Sequence, residues 1–176
     1  MINRIGIDKK KFYKRARFSS LLCVFLFLIN TSCTQEKDIL GRVIGVADGD
    51  TIFVLERGTN ERLKIRLVDI DAPERNQAFG ARSKQSLSEL CYKKTVRIEN
   101  FGRDRYDRIL ARVFCDGIDV NAEQVKRGMA WVYSRYLGDP SLYSLQDEAR
   151  EAKRGLWSDE NPEPPWRFRR ENKSFY

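Results

Sequence analysis

Between Arg62 and Leu67 polar and apolar side chains alternate, with Arg62, Lys64 and Arg66 set against Leu63, Ile65 and Leu67. This two-residue period belongs to a strand with one buried face, so Arg66 points to the polar side. The strand is predicted to run to Ile70. Pro73 cannot extend a ladder and biases Ala72 towards an extended conformation, which leaves Asp71 and Glu74 where strand gives way to loop. Upstream, residues 41–47 and 51–55 read as strands joined by the turn Asp48-Gly49-Asp50, and Arg57-Gly58-Thr59-Asn60 is the next turn. Together these form a three-strand meander.

The period then lengthens. Ser83, Leu87, Leu90 and Cys91 share one helical face, which predicts a helix over 81–92. Residues 95–99 and 109–115 read as strands, the second closed by Asp116-Gly117. Asn121 and Gln124 have the spacing of a helix N-cap and its reciprocal partner, and Gly128 suits the far end of that helix. Met129 to Tyr133 reads as packed core. Asp139-Pro140 opens a last helix, with Leu142, Leu145, Ala149, Ala152 and Leu156 on its apolar face. Five strands with a helix after the third predict an α+β fold, a five-stranded oligonucleotide-binding (OB-fold) barrel with three helices. Such barrels serve many functions, so the fold alone assigns none.

The net charge of +8 changes this picture less than its size suggests. Residues 1–33 carry seven Lys/Arg and one Asp, a local +6, which leaves +2 on the remainder. Overall basicity is therefore weak support for a nucleic-acid partner. The front reads instead as an export signal: a basic segment to Arg17, then an apolar run from Leu21 to Ile29 that is too short to span a bilayer. Asn30-Thr31-Ser32-Cys33 resembles a lipoprotein cleavage box, with Cys33 the lipid-bearing first mature residue and residues 34–40 a short tether. Asn30 departs from the usual aliphatic residue, and plain secretion is the alternative. Two cysteines then remain, and in an exported protein they are predicted to pair as Cys91–Cys115. With no histidine and only these two thiols, no structural zinc site is expected. The expected organisation is a signal over 1–33, a tether over 34–40, the barrel domain over 41–160 and a Pro/Arg-rich tail over 161–176.

Three charged segments carry candidate chemistry, and each alone has an ordinary reading: a turn at Asp48-Gly49-Asp50-Thr51, an edge strand with a charged turn at Arg66–Glu74, and a hairpin tip at Asp104–Arg108. Taken together they offer more. Asp50 and Asp71 are hard oxygen ligands at strand ends, suited to Ca²⁺. Arg66 and Arg108 are forked donors that can grip a phosphate. Glu74 is the natural general base in a chain without histidine. A cation, two arginines and a base make an apparatus for phosphodiester hydrolysis.

At this point the chain resembles the thermonuclease, or staphylococcal-nuclease-like, family. The resemblance rests on Asp48-Gly49-Asp50-Thr51, Arg66 to Glu74, Asp104 to Arg108, Asp119-Val120-Asn121, Gly128 to Tyr133 and Arg154-Gly155-Leu156-Trp157. Pro164 to Arg170 also resembles a tail of bacterial members, so the likeness covers roughly residues 41–170. It implies that Asp50, Asp71 and the carbonyl of Ala72 hold Ca²⁺, that Asp48 shapes the metal turn, and that Arg66 contacts the scissile phosphate. Glu74 would activate water and Arg108 would stabilise the pentacoordinate phosphorus. Tyr106 and Tyr136 are weaker candidates for contacting flanking phosphate or base, with packing as the alternative. The implied partners are DNA and RNA, cut to leave 3′-phosphate ends, and nothing suggests more than a monomer.

One departure stands out. Asp107 replaces the family's usual glycine before Arg108, and its carboxylate is expected to pair with Arg108 and blunt its phosphate contact. This feature favours a rival reading, a non-catalytic binding module of the same fold. A third reading is an envelope lipoprotein whose nuclease fold is incidental.

Overall fold

The computed structural model describes residues 38–133 and 138–172. The expected export signal, Cys33 and Tyr136 lie outside these residues. The first three strands are β1 (Ile39–Val46), β2 (Thr51–Glu56) and β3 (Arg62–Leu67). They form the expected antiparallel meander, with Val43 opposite Val54 and Val54 opposite Leu63. β5 (Thr95–Arg103) and β6 (Ile109–Cys115) extend the sheet from β1. A parallel pairing of β3 with β6 closes it into a five-stranded barrel, in which Ile65 is opposite Ile109 and Leu67 opposite Ala111. The inward face is apolar throughout: Val43, Ile52, Val54, Ile65, Ile98 and Val113 are fully buried.

The third strand does not reach Ile70. Asp69 adopts a left-handed backbone (φ 62°), which breaks β3 after Leu67. Ile70 and Asp71 form a separate short strand, β4, antiparallel to β8 (Trp131–Val132). That pairing takes Asp71 out of the barrel ladder and places it in the wall of the cleft described below. β7 (Ile118–Asp119) extends β6 at the sheet edge.

Four helices are described where three were expected. α1 (Gly80–Cys91) packs with Leu87 and Leu90 inward, and its last residue forms a disulfide with Cys115 at the end of β6. α2 (Val120–Lys126) is capped by Asp119, whose Oδ1 accepts the amide of Ala122 (3.1 Å). Asn121 and Gln124 therefore do not cap it. Both side chains are buried pins instead. Asn121 accepts from the amide of Val113 (3.0 Å) and donates to the carbonyls of Val68 (2.8 Å) and Ala111 (3.3 Å), beside the barrel closure. Gln124 donates to the carbonyl of Gly49 (2.7 Å), tying α2 to the β1–β2 turn. A buried amide satisfies several backbone groups at once, and that use outcompetes a cap at the helix mouth.

α3 (Ser141–Glu151) ends before a 3₁₀ turn, Gly155–Ser158, whose Leu156 amide donates to the carbonyl of Gly128 (2.9 Å). The fourth helix, α4 (Pro165–Glu171), arises within the stretch expected to be a tail. Pro164 and Pro165 start it, since a proline fits the first helical position. Trp166 stacks on Tyr133 (5.2 Å between ring centroids) and meets Trp131 edge-on (5.6 Å). Gln77 donates to the carbonyl of Glu163 (2.7 Å) and anchors the approach to the helix. No helix among the described residues is long and apolar enough to cross a membrane.

Candidate active site

Asp50 begins the site. Its backbone carbonyl takes the amide of Leu67 (2.8 Å), so the β1–β2 turn and the end of β3 are stitched together. Its side chain is nearly buried: Oδ1 accepts from Thr51 Oγ1 (3.0 Å) and Oδ2 from the amide of Ala72 (2.8 Å). The turn fits because residue 49 is glycine. A Cβ there would lie 1.9 Å from Ser83 Oγ on α1 and 2.7 Å from the Ala72 side chain.

Arg66 projects from β3 between two acids. Nη1 lies 2.7 Å from Asp50 Oδ2, and Nη2 donates to Asp71 Oδ1 at 3.0 Å. The polar-face position expected for Arg66 is therefore deep in the protein, with only 14% of its side chain exposed. Asp71 is fully buried at the end of β4. Glu74 follows Pro73, its amide bonded to Gln77 Oε1 (3.0 Å) and its side chain partly exposed in the cleft.

Across the cleft, the β5–β6 hairpin carries Arg108. Asp104, almost buried, holds it by Nε (2.8 Å) and Nη2 (2.7 Å), and takes the amides of Tyr106 (2.9 Å) and Arg108 (3.1 Å) as well. Burial works against the charge on Asp104, but these donors outweigh it and hold the carboxyl below its usual range. Asp107 has the left-handed backbone that suits the family's glycine (φ 59°). Its carboxylate does not pair with Arg108. It meets Arg103 (3.0 Å) and projects into solvent, and Arg108 is held by Asp104 instead. The expected pairing of Asp107 with Arg108, the feature that favoured a binding module, is thus absent. Tyr106 sits at the tip, 63% exposed, within reach of the Arg105 and Arg108 guanidiniums.

These groups line one cleft of about 630 Å³ that holds Asp48, Asp50, Arg66, Asp71, Ala72, Glu74, Tyr106 and Arg108. Arg103, Arg105, Tyr133 and Arg169 share it. The volume is that of a small-ligand pocket, with room for a nucleotide.

Arg169 escaped the reading of the sequence. From α4, Nη2 donates to Asp71 Oδ2 (2.8 Å), while Nη1 reaches Asp71 Oδ1 (3.1 Å) and Glu74 Oε1 (2.7 Å). Burial opposes its charge, yet Asp71 and Glu74 outweigh that and raise its pKa further. The signal was present: a Pro-Pro helix start with Trp166 and Arg169 three residues apart, hence on one face.

Burial shapes the charge of the acids as much as the arginines do. Burial, then the neighbouring Asp50, pushes Asp48 up to about 7. Burial raises Asp71 too, against the pull of Arg169 and Arg66. Arg66, surrounded by Asp50, Asp71 and Asp48, is raised despite its burial. Among the described residues no three carboxylates are gathered as a ready metal cage. The donor set nevertheless fits a hard divalent cation in kind: the buried carboxylates of Asp50 and Asp71 and a neighbouring main-chain carbonyl at Ala72.

Comparison with known proteins agrees with this geometry. Residues 64–159 match the model of the staphylococcal nuclease homologues. An "Uncharacterized endonuclease" of Haemophilus influenzae is 44% identical over 160 residues, which cover 91% of this chain and 88% of that protein. A protein of the same description from Escherichia coli is 48% identical over 149 residues, covering 84% and 94%. The "Micrococcal nuclease" of Shigella flexneri is 40% identical over 149 residues, covering 78% and 84%.

Proposed function

The chain belongs to the staphylococcal nuclease family, and from that premise we propose that it is a Ca²⁺-dependent endonuclease that hydrolyses DNA and RNA to 3′-phosphate ends. The observation that carries this reading is Arg66, bracketed by Asp50 and Asp71 in the cleft that also holds Glu74 and Arg108. Asp50, Asp71 and the Ala72 carbonyl would hold the ion, which when bound supplies a Lewis acid for the phosphate.

The remaining work falls to side chains. Arg66, fixed by two carboxylates, turns its remaining N–H donors to the scissile phosphate. Glu74, carried on the loop after Pro73, takes the proton of the attacking water. Arg108 balances the charge that grows on the phosphate oxygens, and Asp104 aims it. Little sequence preference follows, since phosphates and stacking rather than base edges are recognised.

The ends of the product test this reading. The 5′-labelled fragments of a cleaved oligonucleotide, which carry the newly formed 3′ ends, should refuse extension by terminal transferase until treated with a phosphatase. Ends that extend at once contradict it. Glu74→Ala should lower turnover by about 10²–10⁴-fold with an unchanged circular-dichroism spectrum, and retained activity removes Glu74 from the role.

The proposal includes export through residues 1–33, with a lipid on Cys33 and a monomeric nuclease domain tethered to a membrane. The Cys91–Cys115 disulfide supports an oxidising compartment. Labelled palmitate should enter the protein through Cys33, and a Cys33→Ser variant that labels equally well contradicts lipidation.

A further inference from the structure

Arg169 occupies the oxygens that a cation would need. Both carboxylate oxygens of Asp71 accept from its two Nη atoms, and one of those nitrogens also reaches Glu74. With Arg66 on the other side, Asp71 is bound by two guanidiniums while completely buried. An ion cannot enter the coordination sphere of Asp71 without at least one of them giving way. Arg66 is the more constrained, being rooted in a barrel strand and clamped to Asp50 as well. Arg169 is the more exposed, at 37% of its side chain. It reaches inward from a helix of seven residues. α4 does not depend on it alone, since Trp166 on Tyr133 and Gln77 on Glu163 hold the helix independently.

We propose that Arg169 is a positioning residue of the carboxylate centre. Its guanidinium holds Asp71 and Glu74 in one orientation in the metal-free protein and is exchanged for the cation when Ca²⁺ binds, with α4 still docked. The inference rests on the Ca²⁺ reading above. Its physical basis is charge and shape. A forked cation on Asp71 stands in for the ion, and prevents the two acids from collapsing onto Arg66 alone. Because guanidinium and ion compete for the same oxygens, their coupling is unfavourable and reciprocal. Ca²⁺ must loosen Arg169, and removing Arg169 must tighten Ca²⁺. Once released, the guanidinium remains in the cleft beside Glu74, where it adds a positive group facing the substrate phosphates.

The experiment is calorimetric titration of the purified protein with calcium chloride, for the wild type, Arg169→Gln and Arg169→Lys. Arg169→Gln should bind Ca²⁺ about tenfold more tightly, and Arg169→Lys, which keeps the charge but lacks the fork that takes both oxygens of Asp71, should fall between. Equal affinities for wild type and Arg169→Gln overturn the exchange and leave the Ca²⁺ reading standing. Weaker binding by Arg169→Gln also overturns it, since Arg169 would then support the ion rather than compete with it. Absence of Ca²⁺ binding to all three proteins removes both. The wild type alone provides a second readout. The ¹⁵N–¹H side-chain signals of Arg169, identified by their loss in Arg169→Gln, should report hindered rotation without Ca²⁺ and averaging with it. Signals unchanged by saturating Ca²⁺ overturn the exchange.

Discussion

The two sides of the cleft are built differently. On one side Asp50, Arg66 and Asp71 stand at the ends of β2, β3 and β4, the two acids buried and Arg66 nearly so, with their backbones fixed by sheet and turn hydrogen bonds. On the other, Arg108 comes from a hairpin tip, while Arg169 enters the cleft from a short helix onto the acids of the first side; both guanidiniums are aimed by side-chain contacts to Asp104, Asp71 and Glu74. The first side is part of the barrel's own stability, and the second is laid onto it. Substitutions should therefore damage folding and chemistry together on the strand-built side, and chemistry alone on the other.

The sharpest break of that contrast is Arg66→Gln. It leaves Asp50 buried beside a neutral amide and Asp71 with Arg169 alone, and removing one partner of a buried charge cluster costs about 3–5 kcal/mol. Urea denaturation of the metal-free protein should detect this loss together with a collapse of cleavage. A stability within 1 kcal/mol of wild type contradicts the idea that the barrel depends on this cluster. Arg108→Ala should lower turnover by about 10²–10³-fold with Tm within roughly 2 °C of wild type. A large fall in Tm would erase the distinction between the two sides.

Asp48 gives a pH-dependent version of the same test. Its carboxyl titrates near 7 in the folded protein against 3.8 for an ordinary aspartate. The folded state thus holds the proton more tightly, so the stability Asp48 contributes is complete below about pH 4 and is lost as pH rises through 7. Asp48→Asn, which keeps an acceptor for the amide of Asp50, should be a few degrees more stable than wild type at pH 8 and show a flatter profile. A wild type whose Tm advantage over Asp48→Asn grows between pH 4 and 8 contradicts this. The smallest effect belongs to Asp107→Gly. Asp107 meets exposed Arg103 rather than Arg108, so turnover should change by less than about twofold, as a solvent-exposed ion pair contributes little. A tenfold rise would restore the pairing with Arg108 that the structure does not contain.

What could be read in the sequence follows the same division. Strand periodicity put Arg66 on the polar face and Asp71 at a strand end because a ladder dictates where every second side chain points. The barrel, its helix after the third strand and the Cys91–Cys115 pairing were legible for the same reason: local period and counting suffice. Asn121 and Gln124 matched a capping pattern, but three-dimensional packing gave them a more favourable use as buried pins. Arg169 lies 98 residues from Asp71 along the chain, and its place depends on two aromatic contacts and a glutamine, none of which has a periodic signature. A basic tail reads as solvated until the acids it meets are known. Asp104 was hidden likewise, since a charge run at a hairpin tip does not show which acid faces inward.

The most direct test is cleavage of a 5′-labelled single-stranded DNA by the purified protein, followed first with Ca²⁺ and then with excess chelator. Endonucleolytic cleavage that Ca²⁺ supports and the chelator abolishes is the predicted result. Cleavage that persists in chelator, or none by folded protein supplied with Ca²⁺, would contradict the account.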